Sequence, residues 1–463
     1  MNIKSFTHIY LLGIGGIGMS ALARYFVSQN KKVYGYDKVK SALTLSLEGE
    51  GIDISYSDNI NTIPSIFNAD DISNQLVIYS SAISDNRIYD YFSSNSFNIC
   101  KRAQALGLIS QHFYTIAIAG THGKTTTSIM LAHILKQANV DCTAFLGGMS
   151  QNYNTNFLLS NENNYMVVEA DEYDRSFLYL NPNIAIITSL DSDHLDIYGN
   201  HNELINSFKK FASQVKDDGY LIIEESISEH FSSPKNGKLH TYSNSTKSDY
   251  YYKDVTQNIN KVEFSFGRKD RIFDNNNKSN NVVLSMPGEH NISNALAAIV
   301  ASSCLNIKDD IITNAISSFN GVKRRFDVHL CTDNKVFIDD YAHHPKEVIS
   351  TIKTVKHLFP QRLLTVVFQP HLYSRTQDFA SEFADALSLV DNLIILDIYP
   401  AREVPITGVD SEMLLNLCSN FSKITCKKNN LVSVLSNQDV DVLLTLGAGD
   451  ISDLVNPIKE ILI

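Results

Sequence analysis

No run of apolar residues in this 463-residue sequence approaches the roughly 18 needed to cross a bilayer. The opening residues Met1 to Ser5 show neither an apolar signal core nor a small-residue cleavage site. A soluble, cytoplasmic protein with no membrane partner is expected. Basic residues are also too few for a nucleic-acid binder: 39 Lys and Arg stand against 50 Asp and Glu, a formal net charge of −11. No cationic footprint for a polyanion exists, and the run Lys323-Arg324-Arg325 is too short to make one. An anionic ligand must therefore meet a local cationic site set against the global charge. The six cysteines, Cys100, Cys142, Cys304, Cys331, Cys418 and Cys426, are scattered without a Cys-x-x-Cys pair. That argues against a disulfide framework and against a cysteine-rich zinc site. No Ser or Cys triad stands out either.

What remains is ordinary for a globular enzyme, with 44% hydrophobic and 19% charged residues. At about 150 residues per domain, the length suggests three domains. The apolar patterning suggests the same. A short strand at His8–Leu12 leads into a glycine-rich turn, a helix over Met19–Ser28 and a second strand at Lys32–Tyr36 ending at Asp37; Leu76–Ser80 is a further strand. A second such unit starts near residue 109, with strands at Tyr114–Ala119, Tyr165–Glu169 and Ile184–Thr188 and a helix over Ser128–Gln137. Polar stretches at 243–249 and 274–281 read as surface loops, and Asn291–Ser303 as a helix. A third unit begins near Lys323, with strands at Val336–Asp340, Leu364–Phe368, Leu393–Asp397 and Val442–Leu446 separated by helical segments. Strand and helix alternate throughout, so the fold class is α/β. The expected domains are 1–108, 109–322 and 323–463.

Seven motifs carry chemistry. Gly13-x-Gly15-x-x-Gly18 after a strand, with Asp37 about 20 residues on, matches a dinucleotide fingerprint. Glycines let a backbone approach a pyrophosphate at a helix N-terminus. NAD and UDP both carry a pyrophosphate and a ribose, so the motif alone admits either, and also a purely structural turn. Gly120-Thr121-His122-Gly123-Lys124-Thr125-Thr126 departs from the usual phosphate loop, because Ile118 stands where a first glycine is usual. Its working parts remain: backbone N–H groups and Lys124 for phosphates, and the Thr125 hydroxyl for Mg²⁺. Glu169-Ala170-Asp171-Glu172 ends an apolar strand beside that loop and offers hard oxygen ligands. Asp191-Ser192-Asp193-His194 likewise follows a strand, and His194 is either a metal ligand or a turn residue. Gly321 to Asp327 places three cations at a domain junction, as a phosphate clamp or a solvated linker. In the third unit, Asp339 to Pro345 and Gln369 to Thr376 follow strands, where open α/β sheets bind ligands. Arg375 there suits an amino-acid carboxylate.

The ordered set GIGGIGMS, GTHGKTTT, EADEYDRSFLYLNP, DSDHLDIYG, GEHNISNALAA, GVKRRFDV, DDYAHHPKEV and QPHLYSRT resembles the Mur ligase family over nearly the whole chain. The resemblance implies a Rossmann-like UDP-sugar domain, a central phosphate-loop ATPase domain and a C-terminal Rossmann-like domain. It implies a ligase that uses ATP and Mg²⁺ in peptidoglycan biosynthesis and passes through an acyl phosphate. Its last three motifs point to the branch that joins L-alanine to UDP-N-acetylmuramate. On this view Gly13, Gly15, Gly16, Gly18, Asp37 and Ser81 hold the UDP sugar. Gly120, Thr121, His122, Gly123, Lys124, Thr125 and Thr126 form the ATP phosphate loop, with His290, Asn291 and Asn294 at the base and Arg325 at the phosphates. Thr125, Glu169 and His194 are the metal positions. Tyr341, His343, His371 and Arg375 meet the amino acid, and Lys124, His194, Arg325 and His343 are the catalytic set. A monomer or weak homodimer is expected.

One departure concerns Lys209. Some related ligases carry a carbamylated lysine, but aligning Phe208 with the aromatic residue of the alanine-adding branch leaves Lys209 off that position. It reads as a solvated helix charge. The competing functions are a ligase that joins a whole peptide to the same sugar acid, a non-catalytic UDP-sugar sensor, and an NAD-dependent dehydrogenase. The intact Lys124, Glu169 and His194 set argues against the sensor, and a second phosphate loop is unexplained in the dehydrogenase.

Overall fold

The computed structural model describes residues 1–67, 72–83, 85–162, 164–270, 280–401 and 403–463, with the side chains of residues 195 and 196 outside that description. The greater part of the expected loop at 274–281 falls outside the described residues; Asn281 itself opens a strand.

Three sheets organise the chain. The first has the strand order β3-β2-β1-β4-β5, where β1 is His8–Leu12, β2 Lys32–Tyr36, β3 Asp53–Ser55, β4 Gln75–Tyr79 and β5 Asn98–Lys101. All four neighbour pairings in it are parallel. The order reverses at β1, and in a parallel sheet that reversal opens a crevice beyond the strand ends. The glycine turn follows β1 directly and leads into helix α1 (Ile17–Ser28).

The second sheet is built around β6 (Tyr114–Ala119), which pairs in parallel with β9 (Tyr165–Glu169) on one side and β10 (Ile184–Ile187) on the other. Beyond β9 lie β7 (Cys142–Phe145) and β8 (Phe157–Leu158), the latter antiparallel. Beyond β10 lie β11 (Tyr220–Glu224) and β12 (Lys238–Ser243). The residues of β6, β7, β9 and β10 are almost all buried, as parallel strands covered on both faces must be. The first sheet and these strands of the second belong to one compact unit, Met1–Lys253 with Ser265–Val282 and Ser293–Phe319. The aromatic rings of Tyr25 on α1 and Phe145 on β7 lie 5.6 Å apart within it. Asn156, fully buried, donates to the Ile17 carbonyl at 2.6 Å and accepts from Arg24 at 2.5 Å.

The second unit comprises Asp254–Phe264, Val283–Ile292 and Asn320–Ile463. The chain changes unit within the strands β13 (Tyr250–Gln257), β14 (Val262–Arg268) and β15 (Asn281–Leu284). The third sheet runs β16-β17-β21-β18-β19-β20, with β16 Asp327–Cys331, β17 Val336–Asp340, β18 Leu364–Phe368, β19 Asn392–Leu396, β20 Ser422–Cys426 and β21 Val442–Leu446. Only β16 is antiparallel, at the edge. The last strand in sequence thus sits between β17 and β18, and every residue of β17, β18 and β21 is buried.

Most expected strands match in position. The helix read as starting at Ser128 begins earlier, as α2 (Lys124–Gln137). Gly123 caps it in the left-handed conformation, at φ 82°, and the run of threonines becomes its first turn instead of a loop. Lys209 is exposed on α3 (His201–Ser213) while Phe208 beside it is buried.

Candidate functional site

The glycine turn is held from below by the residue expected to meet a ribose. Gly15 donates its N–H to Asp37 Oδ2 at 2.8 Å, and Val39 donates to Asp37 Oδ1 at 3.0 Å. A Cβ on Gly15 would stand 2.8 Å from Asp37 Oδ2, so the close approach requires glycine. Gly16 caps α1, and Gly13, at φ +81°, packs against Ser80, next to the exposed Ser81. Gly18 lies under the Arg102 guanidinium, which reaches on to Asp171 at 3.3 Å.

The phosphate loop sits between β6 and α2. Its conformation is fixed by the segment after β10. Thr121 and Ser189 hydroxyls are 2.9 Å apart, His122 donates its N–H to Ser189 Oγ at 2.9 Å, and Asp191 donates its N–H to Thr121 Oγ1 at 3.0 Å. His122 Nε2 lies 3.4 Å from Asp191 Oδ2. The Asn294 carboxamide oxygen packs against Gly123 and accepts from Thr127 at 3.3 Å. Thr125 and Thr126 are buried in the first turn of α2.

Lys124 is folded back onto protein acceptors. Its Nζ donates to the Gly120 carbonyl at 2.6 Å and to Glu172, with Oε2 at 2.8 Å. Burial alone would lower the Lys124 pKa, but the charges of Glu172, Glu169 and Asp171 outweigh it and raise it. Lys124 therefore stays a cation. The Glu172 side chain is only 1% exposed. It also lies 3.8 Å from His194 Nε2 and, through its carbonyl, accepts from the Tyr198 hydroxyl at 2.6 Å. His194 stands in the left-handed region, at φ 54°, with its N–H on Asp193 Oδ1 at 2.8 Å. Sequence reasoning picked Glu169 from the acidic run and left Glu172 without a role. The signal was its place three residues on, past the strand end; its contact with Lys124 needed the fold. Glu169 ends β9, in register with Ile118 of β6, and its carboxylate packs against Gly147, where no Cβ would fit.

The oxygen donors Thr125 and Glu169 suit Mg²⁺, which needs only one or two carboxylates when phosphates complete its shell. Among the described residues there is no group of three or more His, Cys, Asp or Glu side chains poised for a metal. A site completed by nucleotide phosphates does not require one.

In the second unit the candidate residues gather at the C-terminal edge of the third sheet. Tyr341 and His343 follow β17, and His371 and Arg375 follow β18. The rings of Tyr341 and His343 are 5.3 Å apart, and those of His343 and His371 5.9 Å. Arg375, buried, reaches His371 Nδ1 at 3.4 Å, and His371 stacks on Tyr399. Arg325 lies over the Tyr341 ring at 5.0 Å and 3.7 Å from Glu347 Oε1. Arg324, in the sequence only one of three cations at a junction, is a structural clamp. It pairs with buried Asp339 at 3.1 Å and donates to the Gly447 carbonyl at 2.5 Å. Buried Asp340 accepts from the N–H groups of Phe326 and Ala342, each at 2.7 Å; burial pushes its pKa up to about 6. His290 meets the Ser350 hydroxyl at 3.1 Å, and Asn291 donates to the Pro287 carbonyl at 2.8 Å. Of the residues expected at the nucleotide, Asn294 falls in the first unit and His290, Asn291 and Arg325 in the second.

Among the described residues no helix is long and apolar enough to cross a membrane. Three family models match in order: the Mur ligase family catalytic domain over 8–114, the Mur ligase middle domain over 118–302, and the Mur ligase glutamate ligase domain over 324–449. The chain is 46% identical to a UDP-N-acetylmuramate–L-alanine ligase of Parabacteroides distasonis, over 100% of this chain and 98% of that one. A ligase of the same name from Cytophaga hutchinsonii is 44% identical, over 99% of this chain and 97% of that one. The fold is similar to the crystal structure of a UDP-N-acetylmuramate–alanine ligase from Thermotoga maritima, with TM-score 0.80 at 27% identity over 98% of both chains.

Proposed function

The chain belongs to the Mur ligase family, and from that premise we propose that it uses ATP to join L-alanine to the lactyl carboxylate of UDP-N-acetylmuramate, in the cytoplasmic stage of peptidoglycan biosynthesis. The observation that carries this reading is 46% identity along the full length to a ligase of that name. The phosphate-loop lysine, held as a cation beside Glu172, supports it.

A carboxylate is a poor electrophile. Transfer of the γ-phosphoryl group from ATP gives an acyl phosphate with a good leaving group. Lys124 and Arg325 neutralise charge on the phosphoryl group in flight. When bound, Mg²⁺ would supply further charge neutralisation there, with Thr125, Glu169 and His194 the residues to hold it. The L-alanine amine then attacks the acyl carbon, and phosphate leaves. Residues 109–322 serve ATP in this reading, with His290, Asn291 and Asn294 toward the base. Residues 1–108 take the UDP sugar through the turn at Gly13 to Gly18, with Asp37 and Ser81. Residues 323–463 take L-alanine through Tyr341, His343, His371 and Arg375. The chain acts as a monomer or weak homodimer.

The test is ADP release with UDP-N-acetylmuramate and each of several amino acids, alongside a short peptide. L-Alanine should give the highest turnover. Release with the peptide and none with alanine would replace this reading by a peptide ligase.

A further inference from the structure

Glu347 lies on the first turn of α4 (Pro345–Leu358), the helix that follows β17. Its two carboxylate oxygens face different partners. Oε1 is 3.7 Å from Arg325, while Oε2 is 3.4 Å from His343 Nδ1 and accepts the His343 backbone N–H at 3.2 Å. The side chain is only 15% exposed. No role for Glu347 follows from the reaction as derived above, yet it touches the cation assigned to the phosphates and the imidazole assigned to the amine.

The surroundings of His343 decide where its proton sits. Nδ1 also lies 3.0 Å from the Tyr341 carbonyl oxygen. A carbonyl and a carboxylate both only accept hydrogen bonds. A neutral imidazole facing two acceptors at Nδ1 carries its proton there, and Nε2 is then the basic nitrogen. A carboxylate behind a histidine ring, fixing tautomer and orientation, recurs wherever an imidazole must accept a proton.

We propose that Glu347 is a positioning residue that holds His343 as the Nδ1–H tautomer, so that Nε2 takes the proton released when L-alanine attacks. This rests on the ligase reading above. In the step, the amine nitrogen bonds to the acyl carbon, the carbon–oxygen bond to phosphate breaks, phosphate leaves with its electron pair, and one N–H proton passes to His343 Nε2. The second carboxylate oxygen ties Arg325 to the same helix turn, so one residue sets the phosphate-side and amine-side groups.

The experiment uses the full chain labelled with ¹⁵N-histidine, with the His343 signals assigned by their loss in His343→Gln. Wild type should show the Nδ1–H tautomer at His343. Glu347→Gln should keep it, because the amide oxygen still accepts. Glu347→Ala should lose it in part. Steady-state ADP release should then show kcat reduced at least about tenfold in Glu347→Ala, with KM for ATP and the nucleotide sugar within about threefold, and kcat largely restored in Glu347→Gln. An Nε2–H tautomer in wild type overturns the proposal, as does an unchanged kcat in folded Glu347→Ala. If wild type releases no ADP with L-alanine, the ligase reading fails, while the ring spectra still report on the tautomer.

Discussion

Glu172 Oε2 lies 2.8 Å from Lys124 Nζ, deep beside the phosphate loop. A buried cation is tolerated because a buried anion accompanies it. A lysine that reaches for a phosphate must leave this partner or share it, so the loop is shaped around an anion before any nucleotide arrives.

Lys124→Ala is expected to lower turnover about a hundredfold or more, as loss of a preorganised electrostatic contact does. Affinity for the nucleotide sugar should stay nearly unchanged, because the proposal assigns Lys124 to ATP and not to the sugar. ADP release together with calorimetric titration of the sugar checks both. A variant retaining a tenth of wild-type turnover would contradict the assignment.

Arg375 and His371 stand together at the third sheet's edge. Arg375→Ala should raise KM for L-alanine far more than KM for ATP or the nucleotide sugar, the pattern of binding lost at one substrate. Equal effects on all three substrates would move Arg375 to a role in closure or phosphate binding.

His290 sets a pH dependence of stability. Desolvation pushes its pKa down to about 4; Glu347 opposes this and Arg325 adds to it. The unfolded chain has the ordinary value of about 6.5. Between these values the unfolded state binds a proton that the folded state refuses. The contribution is therefore complete above about pH 6.5 and is lost as pH falls through 4. Asp340, raised to about 6, has the opposite slope over part of that range. Comparing denaturant midpoints of wild type and His290→Asn from pH 4 to 7 isolates the histidine: the variant should lose less stability on acidification. Parallel curves would refute it.

The sequence was informative wherever one element sufficed. A buried parallel strand is an uninterrupted apolar run, so β1, β6, β9, β17, β18 and β21 were readable to the residue. The motifs at strand ends were readable for the same reason, because a polar cluster after such a run marks the crevice. What could not be read depends on pairing across the sheet. Glu172 looked like one carboxylate among several until β9 lay beside β6 and brought it to Lys124. Within the basic run only the family resemblance told Arg325 from Arg324. The fold turns Arg324 to Asp339 and Gly447, and Arg325 to Glu347. Asp37 was given a ribose from its spacing; that its carboxylate also braces Gly15 needed the fold.

The placement of β21 between β17 and β18 has a consequence for biosynthesis. While the ribosome is still making the helices that follow β18, the strand that separates β17 from β18 does not yet exist. β17 and β18 must wait, with the backbone edges that face each other unpaired, until residues 442–446 emerge. This part of the molecule is thus expected to engage chaperones during translation, and its truncated products to be cleared by proteases.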